Sequence, residues 1–459
     1  MSSSKHLHFI GICGTAMGST AVALRALGYT ISGSDEKVYP PMSDVLSQAG
    51  ITVMEGYRAE TLPKSADLYV VGNAISRGNE ELETLLELKL PYVSMAELLK
   101  TEVIQGKRSF VVSGTHGKTT TTTMLAWIFE HAGKNPGYMI GGVPENFSTG
   151  ARFNHSELFA IEGDEYDTAY FDKRSKFLHY LPECVIVNNI EFDHADIFEN
   201  LAAILLTFQR LLNSVPRNGL VLLNGDDQNC LSLHSYAPVK TVGLGESCSE
   251  RIHITEASPE GTAFEINGVP FSVPMIGEFN VRNAAMCIGA ARHAGLTDDE
   301  IREGLETFKG IRRRQQVRGV AGGITIMDDF GHHPTALRET LRGLRQKYPG
   351  QRLWAVFEPR SNTSRRNVLQ NELIEALKEA DGSVIAAVAN PEKVAAADRL
   401  DPEMVALSVS SAGKACFHEH DTEAIVSRLK AETKSGDVIV IFSNGGFDGI
   451  HGKLLAALA

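Results

Sequence analysis

Ser113-Gly114-Thr115-His116-Gly117-Lys118-Thr119-Thr120 follows the apolar run Arg108-Ser109-Phe110-Val111-Val112 and opens a helical stretch from Thr121 that carries Ala, Met and Leu. A strand, a glycine-containing loop and a helix in that order form a phosphate cradle. Backbone N–H groups along Gly114–Thr120 converge on an anion at the helix N-terminus, Lys118 reaches the outer phosphates, and the Thr119 hydroxyl supplies a ligand for Mg²⁺. A nucleoside triphosphate, ATP or GTP, is the first ligand expected. The generic Gly-x-x-x-x-Gly-Lys-[Ser/Thr] pattern nevertheless fails, because Val112 stands where its first glycine belongs. An ordinary Thr-rich helix start after a strand is the competing reading of these residues taken alone.

Outward from this loop, apolar runs alternate with helical patterns along the whole chain, which predicts an α/β protein with parallel sheets. Upstream lie strands at His6–Ile10, Thr30–Gly33 and Leu68–Val71, with helices at Ser19–Leu27, Ser43–Gln48 and Glu80–Leu88. Their first turn, Gly11-Ile12-Cys13-Gly14-Thr15-Ala16-Met17-Gly18, approximates a dinucleotide fingerprint but has Cys13 in place of the second glycine. Asp35 follows the second strand, where an acid accepts from a ribose hydroxyl, so a nucleotide-bearing ligand is expected here as well.

Downstream of the phosphate loop, the runs Phe159–Glu162, Val185–Asn189 and Leu220–Asp227 each end in polar residues. A β-rich insert at about 241–273 carries the turn Asn267-Gly268, and a helix is expected over Asn280–Arg292. A last α/β unit begins near Arg318 and includes Gly323–Asp329, Leu353–Phe357, Ser383–Val388 and Val438–Phe442. It closes on Ser443-Asn444-Gly445-Gly446-Phe447.

At 459 residues the chain is long enough for about three domains of ~150 residues. Its 43% hydrophobic and 22% charged residues match ordinary globular composition. No apolar stretch is long enough to span a membrane, and the N-terminus has no signal-peptide core, so a cytoplasmic location without membrane association is expected. A formal charge of −12 argues against nucleic acid as partner. The six cysteines lack Cys-x-x-Cys pairs and are expected as reduced thiols. Alternation in a strand accounts for Cys416-Phe417-His418-Glu419-His420 as well as metal binding does.

Four acids crowd Glu162-Gly163-Asp164-Glu165-Tyr166-Asp167 at a strand end. They form either a solvated turn or, beside a nucleotide, a Mg²⁺ site with Glu162 as the ligand. After the strand at Val185, His194 is either an ordinary hydrogen-bonded histidine or a second metal contact. Asp328-Asp329-Phe330-Gly331-His332-His333-Pro334 ends another strand, with Pro334 suited to the first helical turn. Arg312-Arg313-Arg314 just before it is either a solvated junction or a clamp on the transferred phosphate.

Taken in order, these segments resemble the Mur ligases, ATP-dependent amide-forming enzymes of peptidoglycan metabolism, and the shortened phosphate loop is that family's own version. The resemblance implies three domains: a Rossmann-like UDP-binding domain (1–106), a central P-loop ATPase-like α/β domain (107–313) and a C-terminal Rossmann-like α/β domain for peptide (314–459). Within the family, Val38–Ser43, Gly72–Ala74, Ile140–Pro144, Asp164–Asp167, Phe171–Phe177, Glu358–Thr363 and Ser443–Phe447 are similar to the branch that joins UDP-N-acetylmuramate to L-alanyl-γ-D-glutamyl-meso-diaminopimelate. The alternative is the branch whose acceptor is L-alanine.

By this resemblance Lys118, Glu162, His194 and Arg314 are catalytic, and Thr119, Glu162 and His194 bind metal. ATP is expected on Gly114, Thr115, His116, Gly117, Lys118, Thr119, Thr120, Asn283, Arg314 and Asp329, with Mg²⁺ as cofactor. Gly14, Thr15, Met17, Asp35 and Asn73 are expected at the UDP-sugar, and Arg360, Ser361 and Asn362 at the tripeptide. Thr207-Phe208-Gln209 occupies the region where several members carry a carbamylated lysine, so none is expected. Phe279 replaces a histidine common beside the adenine contact. The two substrates are the expected partners, on a monomer or weak dimer.

Overall fold

The computed structural model describes residues 4–459. The chain forms two compact units. One comprises the chain up to Ile190 together with Ala202–Glu250 and Met286–Gly304, and the other Glu191–Leu201, Arg251–Ala285 and Leu305–Ala459. The α/β expectation holds in both.

The first unit begins with a parallel sheet of five strands in spatial order Thr52–Glu55, Thr30–Asp35, His6–Ile10, Leu68–Val71 and Tyr92–Ser94. The outer two were not legible as strands because neither is a buried apolar run. From His6–Ile10 the chain first builds outward on one side through Thr30–Asp35, then returns to Leu68–Val71 on the other. The loops after these two central strands therefore flank a topological switch point, where a parallel sheet leaves a ligand crevice. Gly14 and Asn73 are exposed on those loops, and Thr15 is exposed at the start of the helix Thr15–Ala26.

Buried in the same sheet, His8 has Nδ1 2.9 Å from the Ser32 hydroxyl. Burial, helped by His6, depresses its pKa from 6.5 to about 4. The unfolded chain therefore takes up a proton below about pH 6.5 that the fold refuses until about pH 4, so stability is lost as pH falls through that window. The expected loss at pH 4.5 relative to pH 7 is about 2–3 kcal/mol. Chemical unfolding of the native chain and of His8→Asn at both pH values measures it, and an equal acid sensitivity of the two would refute the assignment.

The second sheet of this unit runs Val239–Gly243, Leu220–Asn224, Pro182–Val187, Arg108–Ser113, Leu158–Glu162, Gly137–Met139 and Ala151–Arg152, parallel except for the last pair. Its buried central strands are nearly continuous apolar runs, as strands covered on both faces require. Here too the chain reverses beside Arg108–Ser113, so the phosphate loop and Asn188-Asn189 flank the switch.

The helix after the loop starts at Lys118 and runs to His131, three residues earlier than the sequence pattern suggested. A run of β-branched Thr119–Thr123 is a poor helix signal. The run is nevertheless buried, and two of its hydroxyls back-bond to the preceding turn: Thr122 Oγ1 donates to Lys118 O at 2.8 Å and Thr123 Oγ1 to Thr119 O at 2.7 Å.

In the second unit, an antiparallel meander contains Gly261–Ile266 and Val269–Val273, joined by a turn with Asn267 and Gly268 both at positive φ, 50° and 81°. That is the geometry Asn-Gly hairpins adopt. The C-terminal sheet orders Gln316–Ala321, Ile324–Asp329, Val438–Phe442, Leu353–Phe357, Gly382–Ala386 and Ala415–Glu419, with only the first strand antiparallel.

Strand alternation divides this core in two. Leu353, Ala355, Phe357, Val438 and Val440 pack under Pro334–Lys347, Gln370–Leu377 and Pro402–Ser411, while Trp354, Val356, Ile439 and Ile441 pack under Thr422–Glu432 and Ile450–Leu458. The switch falls at the C-terminal end of Val438–Phe442. Cys416 is buried in the first of these cores, as strand alternation requires. Among the described residues, no helix is long and apolar enough to cross a membrane.

Candidate active site

Gly114 adopts φ +130°, and a Cβ there would stand 3.0 Å from the amide nitrogens of Asn188 and Asn189. Glycine is what lets the loop lie flat on the neighbouring strand end. Asn189 then clasps the loop: its carbonyl accepts from Thr115 N at 3.0 Å and its Oδ1 from His116 N at 2.7 Å. Asn188 Nδ2 donates to Thr121 Oγ1 at 2.9 Å. Gly117, at φ +80°, caps the helix.

Lys118 folds back over this loop. Its ammonium donates to Gly114 O at 2.7 Å and meets both Glu165 carboxylate oxygens at 2.9 Å. Burial works against the charge, yet the Glu165 and Asp164 carboxylates more than offset it and hold the pKa above the ordinary lysine value. Asp164 in turn accepts from Lys176 Nζ at 2.5 Å. Burial would raise its pKa, but Lys176 and Lys118 hold it below the usual carboxylate range.

Thr119 Oγ1 donates to Glu162 Oε1 at 3.0 Å, and Gly141 N donates to Glu162 Oε2 at 2.8 Å. Desolvation pushes the Glu162 carboxyl up, Lys118 opposing it only in part. A hydroxyl and a carboxylate this close, with the anion short of compensation, form a hard-oxygen donor pair that fits Mg²⁺.

In the first sheet, Gly11 N and Ile12 N donate to Ser34 O at 2.8 and 3.0 Å, and Cys13 N to Asp35 Oδ2 at 2.8 Å. Asp35 therefore closes the glycine loop with one oxygen. Met17 is buried, 3.6 Å from where a Gly72 Cβ would lie.

His194 lies in the second unit, at φ +55°. Its N–H donates to Asp193 Oδ1 at 2.7 Å. Burial alone would raise Asp193, but the imidazoles of His194, His332 and His333 and the Thr363 hydroxyl hold its carboxyl well below the usual range. Asn362 Nδ2 donates to Asp196 Oδ2 at 2.8 Å and Ala195 N to Thr363 Oγ1 at 3.3 Å, so the Glu358–Thr363 stretch anchors the histidine segment. Ser361 Oγ accepts from Ser364 N at 3.0 Å, folding that stretch into a turn.

At the switch of the C-terminal sheet, Ser443 N donates to Asp329 O at 3.0 Å and Ser443 Oγ to Glu358 Oε2 at 2.5 Å. The Asp329 carboxylate accepts from Gly331 N at 2.7 Å and Gln315 N at 2.9 Å, and burial pushes its pKa up despite Arg314. Arg313 reaches the carbonyls of Ser443 and Gly445 at 2.8 and 2.7 Å and Asp328 at 3.2 Å. Arg314 lies with its guanidinium 5.2 Å from the Phe330 ring centroid.

Arg360 pairs with Glu358 at 3.5 Å, and its stem crosses Gly445 so closely that a Cβ there would stand 2.4 Å from Nε. Asn283 is buried on Glu278–Ala294, with Nδ2 3.5 Å from Asn280 Oδ1, while Asn280 Nδ2 donates to Ile276 O at 2.9 Å.

Three family descriptions cover most of this chain in order: "Mur ligase family, catalytic domain" over residues 6–105, "Mur ligase middle domain" over 112–291 and "Mur ligase, glutamate ligase domain" over 312–445. The chain is a Mur ligase. This Mur ligase is 40% identical over 464 residues to the UDP-N-acetylmuramate--L-alanyl-gamma-D-glutamyl-meso-2,6-diaminoheptandioate ligase of Escherichia coli K12, covering 99% of this chain and 98% of that one. It is 32% identical over 453 residues to the UDP-N-acetylmuramate--L-alanine ligase of Acetivibrio thermocellus, covering 96% and 93%. A crystal structure of a murein peptide ligase from Psychrobacter arcticus 273-4 superposes with a TM-score of 0.72 at 36% identity, covering 99% of both chains.

Two residues of this Mur ligase escaped the sequence reading as site members. Glu165 was one of four adjacent acids with nothing to single it out. Arg313 stood in an arginine triplet, where only the fold shows which guanidinium is tied to Asp328. At Gln209, Oε1 accepts from His234 N at 2.9 Å and Nε2 donates to His234 O at 2.8 Å, so that side chain braces a loop.

Proposed function

We propose that this Mur ligase joins UDP-N-acetylmuramate to the tripeptide L-alanyl-γ-D-glutamyl-meso-diaminopimelate at the expense of ATP, as a peptidoglycan-recycling enzyme. The observation that carries the acceptor assignment is the full-length 40% identity to a ligase named for that tripeptide, against 32% to one named for L-alanine. ATP dependence follows from membership of the family. The domain assignment is 1–106 for the UDP-sugar, 107–313 for ATP and 314–459 for the peptide.

The lactyl carboxylate of UDP-N-acetylmuramate attacks the γ-phosphorus of ATP, releasing ADP and leaving an acyl phosphate. Lys118, already confined beside the loop, offsets the charge that gathers on the phosphoryl oxygens, and we assign Arg314 a second phosphate contact. Thr119 and Glu162 would hold Mg²⁺, with His194 as a further ligand. The ion supplies Lewis-acid neutralisation of phosphate charge when bound. The neutral amine of the tripeptide's L-alanine then attacks the acyl carbonyl, and inorganic phosphate departs from the tetrahedral adduct.

Gly14, Thr15, Met17, Asp35 and Asn73 are assigned to the UDP-sugar, and Asn283 and Asp329 to adenosine. Arg360, Ser361 and Asn362 are assigned to the peptide. Arg360 is nearly half exposed and only loosely paired with Glu358, which suits a carboxylate receptor. Arg360→Ala is expected to raise the tripeptide KM by about 10–100-fold, the worth of one charged hydrogen-bonded contact, while the KM for ATP stays within about twofold. Unchanged tripeptide kinetics would remove Arg360 from the acceptor site.

Phosphate release from ATP and Mg²⁺ with UDP-N-acetylmuramate tests the whole reading, with L-alanine and the tripeptide compared as acceptors and the product weighed by mass spectrometry. Tripeptide-dependent turnover is expected. Turnover with L-alanine alone would overturn the acceptor assignment.

A further inference from the structure

The Lys118 ammonium has three N–H donors. One goes to Gly114 O at 2.7 Å, and the Glu165 carboxylate occupies the rest with both oxygens at 2.9 Å, Thr115 O standing farther off at 3.3 Å. Outer phosphate oxygens would compete for those same directions. They would also meet the Glu165 carboxylate, an anion held 3% exposed at the place where negative charge must arrive. An ion pair this enclosed is strongly felt when one partner is removed, because the other is left buried without a counter-charge.

The backbone that carries Glu165 is fastened too. Its carbonyl accepts from Ser175 Oγ at 2.6 Å, Lys176 N donates to Tyr166 O at 3.0 Å, and Phe177 N donates to Asp164 O at 3.3 Å. These bonds tie the acidic segment to the hairpin formed by Asp167–Ala169 and Asp172–Ser175. The hairpin tip in turn rests on the first sheet, with Phe171 and Tyr92 ring centroids 5.1 Å apart at 86°.

The geometry points to Glu165 as a positioning residue that stands in for the outer phosphates of ATP: it holds Lys118 in place and must release it for the nucleotide to bind fully. The inference deepens the phosphate-loop reading of Lys118 and rests on it. Its consequence has an unusual sign. Neutralising Glu165 strips the Lys118 ammonium of the carboxylate it touches in the nucleotide-free protein and removes an anion from the phosphate path, and both effects favour ATP.

The test compares binding of ATP, ADP and AMP to the native chain, Glu165→Gln, Glu165→Asp and Lys118→Ala by calorimetry, with thermal unfolding of each. Glu165→Gln is expected to bind ATP on the order of tenfold more tightly, as coupling between close charge pairs implies, while AMP affinity stays the same. Without nucleotide its unfolding midpoint falls, and ATP raises that midpoint by more than in the native chain. In turnover, the KM for ATP drops while kcat does not rise. Glu165→Asp, with its carboxylate drawn back by one methylene, lies between the two.

Unchanged or weakened ATP binding in folded Glu165→Gln or Glu165→Asp overturns the stand-in role, as does equal tightening of AMP. If Lys118→Ala retains native discrimination of ATP over AMP, the phosphate-loop reading fails and this inference with it. If Lys118→Ala loses that discrimination while the Glu165 variants behave like the native chain, only the Glu165 inference fails.

Discussion

Lys118→Ala is expected to lower kcat by about 10²–10³-fold or more, the range seen when a single preorganised donor to developing charge is removed. The groups that touch Lys118 cannot take its place, since they are carbonyls and a carboxylate and cannot donate to a phosphoryl oxygen. UDP-N-acetylmuramate binding should stay within about twofold, because its assigned residues line a different sheet, and calorimetry with the UDP-sugar alone checks this. The variant also leaves Glu165 enclosed without its cation, so a lower unfolding midpoint is expected alongside the kinetic loss. Substantial residual turnover would contradict the phosphate-loop assignment outright.

Glu162→Gln separates chemistry from folding more sharply. Glutamine keeps the shape and can still accept from Gly141 N while its amide faces the Thr119 hydroxyl, so both contacts seen in the structure survive. Only the charge is lost. Desolvation already makes that charge unfavourable, so the unfolding midpoint should not fall. A hard cation, by contrast, loses its anionic ligand, and kcat is expected to drop by about a hundredfold with a higher Mg²⁺ concentration needed for half-maximal rate. Activity and stability lost together, with an unchanged Mg²⁺ dependence, would recast Glu162 as structural.

What the sequence disclosed and what it withheld follow from physics that acts at different ranges. Long apolar runs such as Val438–Phe442 and Leu353–Phe357 are buried on both faces, so they were legible from composition alone. Thr52–Glu55 and Tyr92–Ser94 are short outer strands of their sheet, and their pairing depends on neighbours remote in sequence. The helix at Lys118 began before its pattern did, because tertiary burial overrides the poor propensity of five threonines.

The same contrast holds for the site. Lys118 and Thr119 open a helix and Glu162 ends a strand, each within a recognisable motif, and the fold brings them together. The tie between Asn362 and Asp196 joins residues 166 positions apart, and no local pattern encodes it. The strand end singled out Glu162, which the Thr119 hydroxyl meets, but nothing in the acidic run marked Glu165 as the partner of the Lys118 ammonium.

The segment Glu191–Leu201 belongs to the unit built around the C-terminal sheet, although it follows a strand of the central one. Its fastenings are Thr335 Oγ1 to Glu191 Oε1 at 2.9 Å, Ala195 N to Thr363 Oγ1 at 3.3 Å and Asn362 to Asp196 at 2.8 Å. Gene dissection must respect that weave. A fragment cut at residues 107 and 313 keeps His194 but discards the threonines and asparagine that shape its loop. A fragment starting at 314 keeps those partners and lacks the histidine. Split or permuted versions of this enzyme are better opened at exposed turns such as Asn267-Gly268 than at the seams between its sequence domains.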